Sequence, residues 1–176
     1  FNLSIPNFEK FIHTAKNVRM GFIDQEPREY IASDNYESWM TRGIPKLGDV
    51  LFTTEAPLGN VAQLDVDGRV AFAQRVIIIQ PKQGISPTFL KYLLRSKKMQ
   101  EKIGSLGTGG TVKGIKAKVL KQITISVPPK DEQDQIVQIL SAVDTKITNN
   151  KMTLNKLANM KKGIMNDIFT RKVDVN

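Results

Sequence analysis

The first half of the chain alternates short apolar runs with turn residues. Four strands are predicted at 48–54, 59–64, 70–72 and 75–80. Glycine, proline and aspartate separate these runs, and they are residues typical of turns. The Asp67–Gly68 pair predicts a hairpin turn, because glycine tolerates the positive φ that such turns need. Three consecutive isoleucines at 77–79 predict that the last strand is buried on both faces.

A helical segment is predicted after these strands. Ser86 is a suitable N-cap and Pro87 suits the first helical position, so a helix is predicted from there to about Ile103. The alternation in KQITISV, residues 121–127, predicts a further strand that the next two prolines would end. Residues 1–127 are therefore predicted to form one compact domain of mixed α+β class.

The hydrophobic pattern changes to a period of seven after the two prolines. We assign residues 128–176 to a helix in which two rows of positions are largely apolar. The aliphatic members of these rows are Ile136, Leu140, Val143, Ile147, Leu154, Leu157, Ile164 and Ile168, and the two remaining positions are Asn150 and Lys161. Such heptads predict a coiled-coil helix of about 58 Å that needs a partner helix. The alternative is a long helix folded back on its own domain.

The positive charge of the chain is concentrated in one short region. The 176 residues carry 26 basic and 17 acidic groups, which gives a net charge of +9. Residues 91–121 alone hold nine basic groups and a single acid, Glu101. Such clustering indicates a protein that binds nucleic acid, with a solvated basic face as the alternative.

The basic region contains the glycine-rich stretch GSLGTGGTVKGIKAKVLK, residues 104–121. A Walker A loop is disfavoured, because Ile115 follows Gly114 where the phosphate-binding lysine should stand. A dinucleotide-binding fingerprint is disfavoured by the glycine spacing and by the helix, rather than a strand, predicted before it. The stretch is expected to hold the phosphates of a nucleic acid, or to be a flexible loop without a ligand.

No catalytic or metal site is predicted from the sequence. His13 is the only histidine, lacks a nucleophile and acid patterned around it, and is expected at the surface or partly packed. Asp65 and Asp67 do not have the spacing of a calcium loop. The absence of cysteine fits a cytoplasmic protein. No apolar run approaches the roughly 20 residues of a membrane span, so no membrane association is expected.

Five motifs together resemble the specificity subunit of type I restriction–modification systems. The resemblance is to one target recognition domain followed by one spacer helix. The motifs are GDVLFTTEAPLGNVAQL (48–64), FAQRVIIIQPK (72–82), SPTFLKYLLRS (86–96), GTGGTVKGI (107–115) and ISVPPKDEQDQIVQIL (125–140). The last two motifs together are the most specific, and the resemblance covers about residues 1–172.

The resemblance implies a non-catalytic subunit that reads double-stranded DNA. Its partners would be a methyltransferase subunit and a restriction subunit, which alone would hold S-adenosylmethionine, ATP and magnesium. No cofactor and no metal is expected on this chain. A full subunit has two such halves, so this chain is expected to read half of a bipartite target unless it pairs, as a homodimer or with a second half-subunit.

Two other functions stay open on the sequence. The chain can be the target-recognition fragment of a fused DNA methyltransferase, or a coiled-coil adaptor that binds DNA without specificity. Whether it is a natural half-subunit or part of a tandem subunit, and what precedes Phe1, is left open as well.

The resemblance also places the glycine-rich stretch at an edge that faces DNA. Glycine lets backbone N–H groups approach phosphate, and the expected side-chain donors nearby are Thr108, Thr111, Lys113, Lys116 and Lys118. The candidates for reading bases are Thr53, Thr54, Glu55, Gln74 and Arg75. Glu55 can accept a hydrogen bond from a cytosine amine, and Arg75 or Gln74 can pair with guanine or adenine.

Overall fold

The computed structural model describes residues 9–41, 43–65 and 70–170. The chain divides into two compact units, Phe1–Asp134 and Gln135–Asn176. The first unit contains small sheets and short helices, and a long helix extends through the second. The predicted α+β class with a long C-terminal helix is therefore confirmed. The predicted Asp67–Gly68 turn lies outside the described residues.

The first unit is built on two three-stranded sheets. The strands are β1 (Glu9–His13), β2 (Glu29–Ala32), β3 (Val50–Thr53), β4 (Val61–Gln63), β5 (Ala71–Phe72) and β6 (Val76–Ile79). One sheet has the order β2-β1-β5, with β1 antiparallel to β2 and parallel to β5. The other has the order β4-β3-β6, in which both pairs are antiparallel. Strands β3 to β6 fall within the four predicted runs, whereas β1 and β2 were not predicted.

Strand β3 is the centre of the second sheet and the most buried part of the core. Val50 and Phe52 pack on one face with residues of two helices, while Leu51 packs on the other face. All three side chains are fully buried. Strand β6, predicted to be buried on both faces, is only partly buried along its whole length. It lies at the sheet edge, so one of its sides has no neighbouring strand.

The helices of the first unit differ from the prediction at one point. In the described residues they are α1 (Tyr36–Trp39), α2 (Pro87–Arg95), α3 (Lys97–Leu106) and α4 (Ala117–Leu120), together with a 3-10 turn at Ser33–Asn35. Ser86 caps α2 and Pro87 is its first residue, as predicted. The single helix predicted to run on to Ile103 is wrong, because Ser96 adopts an extended conformation and its hydroxyl accepts from Met99 N as the cap of α3.

The strand predicted at 121–127 is also wrong. After α4 the backbone from 123 to 129 forms no regular element. Ile123 and Ile125 nevertheless pack partly buried against the core cluster that contains Val50 and Phe52. The alternating apolar positions therefore serve side-chain packing without any strand pairing.

His13 belongs to the core, and the expectation of a surface or partly packed residue is wrong. Its side chain is buried, and its ring lies 5.6 Å from the ring of Phe72, centroid to centroid. Burial lowers the pKa of His13 to about 4, and the charge of Asp65 opposes this only in part. The imidazole is therefore neutral at pH 7 and acts as a packed aromatic ring.

The long helix α5 (Lys130–Phe169) begins within the first unit, where Gln133 anchors it. The Gln133 side chain is 1% exposed. Its Oε1 accepts from Ser86 N at 2.8 Å, and its Nε2 donates to the carbonyls of Gly84 and Pro128 at 3.0 and 2.9 Å. One amide thus satisfies three backbone groups, and it joins the start of α5 to the start of α2.

The apolar stripe of α5 is exposed in the single chain. Exposed side chains on it are those of Leu140, Val143, Ile147, Leu154, Leu157, Ile164 and Ile168. Ile136 is partly buried and Asn150 is exposed. No helix among the described residues has the length and apolar character that crossing a bilayer requires.

We expect Gln133→Leu to lower the free energy of unfolding of the chain by about 1–3 kcal/mol. The substitution keeps the apolar part of the side chain but leaves one N–H and two carbonyl groups without their partner. Chemical denaturation followed by circular dichroism measures the change. Gln138→Leu is the matched control, since Gln138 is exposed on the same helix. An equal effect of both substitutions would show that the three hydrogen bonds are not the cause.

Candidate nucleic-acid interface

The connection between β3 and β4 is a tightly held turn. The Thr53 hydroxyl donates to Pro57 O and accepts from Asn60 N at 2.9 Å. Ala56 and Gly59 have φ values of 49° and 87°, which reverse the chain within a few residues. Gln100 Nε2 donates to Gly59 O at 2.9 Å and so ties the turn to α3. A rigid turn is therefore presented at the end of β3.

A second turn, between β5 and β6, lies directly beside it. Both the backbone N–H and the hydroxyl of Thr54 donate to Arg75 O, at 2.8 and 3.2 Å. Arg75 has φ of 75°, a left-handed conformation that costs a non-glycine residue about 1–3 kcal/mol. The two hydrogen bonds from Thr54 help to offset that cost, and they fix the backbone position from which the Arg75 side chain extends.

The glycine loop is the third segment at this place. Thr108 and Gly114 exchange backbone hydrogen bonds of 2.8 and 2.9 Å, so residues 109–113 project as a closed loop. Ile115 N donates to Thr54 O at 2.9 Å, and Gly114 forms a β-bridge with Glu55. The loop is thus attached to the turn after β3 through backbone contacts.

Two glycines of this loop allow that close approach. A Cβ at Gly114 would lie 3.2 Å from both Cβ and Oε2 of Glu55. A Cβ at Gly107 would lie 2.7 Å from Cδ2 of Leu58. Gly109 has φ of 124°, and a Cβ there would meet Val112 O. Glycine is therefore required at Gly109 by its backbone conformation, while a Cβ at Gly107 or Gly114 would displace the Leu58 or Glu55 side chain.

The structure brings two of the predicted base readers into contact with each other. Arg75 Nε lies 2.7 Å from Glu55 Oε1, and the two side chains are 55% and 40% exposed. Both groups reach solvent, so the pair contributes little to stability. It holds two groups with hydrogen-bonding capacity on the same surface as the glycine loop.

The remaining predicted residues fall into three groups. Thr53 is fully buried, so it supports the turn from inside and does not present its hydroxyl at the surface. Thr54 is partly buried and holds Arg75 through its hydroxyl, while Gln74 is exposed in the second turn. The five residues predicted to contact phosphate are all exposed: Thr108 and Thr111 in the loop, then Lys113, Lys116 and Lys118.

A cleft beside Arg75 is lined by predicted base readers together with Lys16 and Trp39, which the sequence analysis did not identify. Its volume is about 440 Å³, and its lining includes Lys16, Trp39, Gln74 and Arg75. Trp39 Nε1 donates to Phe72 O at 2.9 Å, which fixes the indole while 48% of the residue stays exposed. The one signal available was that Trp39 is the only tryptophan. Within the described ranges, no group of three or more His, Cys, Asp or Glu residues is placed to hold a metal ion.

The sequence of the chain is similar to that of known specificity subunits. The family model for the type I restriction modification DNA specificity domain matches residues 31–159. The type I restriction enzyme MjaIX specificity subunit of Methanocaldococcus jannaschii is 36% identical over 110 residues, which are 62% of this chain and 25% of that protein. The putative MjaX specificity subunit of the same organism is 32% identical over 135 residues, 72% of this chain and 31% of that protein. The chain thus spans about a quarter to a third of these relatives.

The fold is similar to that of solved structures at low sequence identity. The HsdS subunit from Thermoanaerobacter tengcongensis has a TM-score of 0.62 at 18% identity, covering 97% of this chain and 46% of that one. The S subunit of a type I restriction-modification system from M. genitalium has a TM-score of 0.59 at 17% identity, covering 94% and 39%. Likeness at this level of identity concerns the fold alone.

We expect Gly109→Ala to open the glycine loop, because alanine disfavours the φ of Gly109 and its Cβ would collide with the carbonyl of Val112. Strain of about 1–3 kcal/mol should speed amide exchange at Thr108 and Gly114 by roughly 5- to 150-fold. Hydrogen exchange followed by NMR measures this. Gly110→Ala is the control, since Gly110 has no atom within 4 Å of a Cβ and no positive φ. Equal exchange rates in the two variants would contradict the assigned loop conformation.

Proposed function

The chain belongs to the family of type I restriction modification DNA specificity domains, and from this premise we propose that it reads one half of a bipartite DNA target. The observation that carries the proposal is the convergence of three segments on Thr54 and Glu55: the turn after β3, the turn before β6 and the glycine loop. They bring polar side chains and a basic loop to one surface. Contacts of both kinds, to bases and to phosphates, are what a sequence-specific DNA reader requires.

The charge distribution supports DNA as the ligand of this surface. Nine of the 26 basic groups lie within residues 91–121, and the loop that projects from this region carries Lys113. Lys116 and Lys118 follow it and are exposed. Cations in such positions neutralise phosphates and release counterions, which gives affinity without sequence preference. Preference is then supplied by the side chains on the two neighbouring turns.

The rest of the assembly is proposed from the family. We propose that the chain has no catalytic site of its own and works in the cytoplasm with a methyltransferase subunit and a restriction subunit. S-adenosylmethionine, ATP and magnesium then belong to those subunits. We propose that this chain corresponds to one recognition domain with its helix, which its similarity to about a quarter to a third of the matched relatives supports.

The exposed stripe of α5 supports a second copy of the chain, or a second half-subunit, as a further partner. We propose an antiparallel pair of these helices, because a two-fold axis satisfies one self-complementary stripe. Asn150 lies at the middle of α5 and would meet its own copy there. An Asn in such a position fixes the register of the pair at some cost in stability. Lys161 would reach water from beside the outer part of the partner helix.

The direct test is selection of bound sequences from a random duplex pool by the purified chain. We expect a short, defined half-site to be enriched.

Replacing Lys113 and Lys116 together with Ala should then weaken binding similarly for all sequences and reduce the salt slope by about one unit per lost phosphate contact. Lys146→Ala with Lys151→Ala, which removes two exposed lysines of α5, is the control. Absence of enrichment would favour a non-specific adaptor, and an unchanged slope would remove the loop from the interface.

The pairing is tested by Leu140→Asp combined with Leu154→Asp. Placing carboxylates on the stripe should yield monomers that bind the selected duplex weakly, as light scattering and binding titrations measure. Gln138→Asp with Asn159→Asp is the control, because these exposed positions lie on the opposite side of the helix. Asn150→Leu should raise the melting temperature while it loosens the register. A wild-type chain that stays monomeric at high concentration would contradict the homodimer.

A further inference from the structure

We propose that Arg75 reads a guanine and that Glu55 is the residue that positions Arg75, rather than a reader of cytosine. The inference rests on the proposed function and names one base of the half-site. It starts from the ion pair in which Arg75 Nε meets Glu55 Oε1 at 2.7 Å.

Glu55 contacts the guanidinium of Arg75 at Nε, and the arginine side chain is 55% exposed. Arginine has five N–H donors in a planar group, and Nε lies on one edge of that group. The two terminal nitrogens form the adjacent edge, whose geometry matches the O6 and N7 acceptors of guanine in the major groove. Among the described residues, Arg75 forms an ion pair with Glu55. The pair therefore has the geometry of a reader and its support.

Both ends of the ion pair are held by the backbone. Thr54 fixes Arg75 through two hydrogen bonds to its carbonyl oxygen, in a left-handed conformation that arginine seldom adopts. The backbone of Glu55 is held by its bridge to Gly114, and a Cβ at Gly114 would lie 3.2 Å from Glu55 Oε2. A side chain that is fixed before binding loses less entropy when it meets a base. Backbone strain at Arg75 fits a side chain whose direction matters for function.

The Glu55–Arg75 pair differs from the glycine loop in that its net charge is zero. A neutral pair attracts phosphate weakly, so Arg75 adds little to affinity for DNA of any sequence. If Glu55 instead read a cytosine amine, the amine would compete with Arg75 for Oε1 or approach Oε2, which lies beside Gly114. Arg75 is also the more exposed partner, at 55% against 40%. The arrangement therefore favours Arg75 as the group that touches the base.

The test uses the duplex selected by the wild-type chain, with single bases altered. Replacing the guanine by 7-deazaguanine removes the N7 acceptor and should weaken wild-type binding on the order of 10-fold. The same replacement should have no effect on Arg75→Ala or on Arg75→Gly, which tolerates the left-handed backbone. Inosine keeps both O6 and N7, so it is the control and should bind as guanine does.

Glu55→Gln distinguishes a positioning residue from a reader. It should reduce discrimination between guanine and 7-deazaguanine, and raise affinity for unselected duplex because the charge of Arg75 is no longer balanced. If Glu55 reads cytosine itself, N4-methylcytosine in the partner strand would weaken wild-type binding, this effect would vanish in Glu55→Gln, and the 7-deazaguanine effect would persist. That result overturns the inference.

The outcomes also separate the inference from the proposed function. A half-site can be enriched although the recognition of each guanine in it is the same with and without Arg75. In that case the chain reads DNA through other residues, so the inference about Arg75 fails while the proposed function stands. If no sequence is enriched, the proposed function itself fails. Circular dichroism of each variant verifies that its fold matches that of the wild type before the titrations are compared.

Discussion

The candidate interface depends on the backbone of Thr54. Its N–H donates to Arg75 O, and its carbonyl accepts from Ile115 N. One residue therefore contacts both the turn before β6 and the glycine loop through its main chain. Thr54 itself follows β3, whose side chains fill the centre of the core. Three surface loops are thus attached to the residue that follows β3, a strand that is buried along its whole length.

Local sequence signals predicted the elements whose causes are local. The cap at Ser86 and the following proline determine where α2 begins, and the apolar runs from 50 to 79 were sufficient to find four strands. The predictions were wrong where tertiary contacts determine the local structure. The break at Ser96 is a second cap that lets Met99 and Ile103 reach the core, and Ile123 and Ile125 alternate without a strand because they pack on a cluster contributed by distant elements.

The candidate site shows the same division. The glycine pattern and the lysines around it are visible in the sequence, and they predicted a loop for phosphate. No spacing rule connects Glu55 to Arg75 or to Gly114, because these tertiary contacts join residues that are 20 and 59 positions apart in the chain. Thr53 illustrates the opposite case. It was predicted to read a base beside Thr54, but β3 is buried on both faces, so the Thr53 hydroxyl lies inside and bonds to Pro57 and Asn60.

The surface combines two kinds of electrostatics at close range. The glycine loop carries exposed positive charge on a closed backbone, which suits phosphate contacts that do not depend on base sequence. The Glu55–Arg75 pair is neutral and held from both sides, which suits a single base with fixed acceptor positions. Gly114 connects the two, since it closes the loop through Thr108 and also abuts the Glu55 carboxylate. The glycine loop and the ion pair are therefore joined through the backbone of one residue, and neither can shift at Gly114 without affecting the contact with the other.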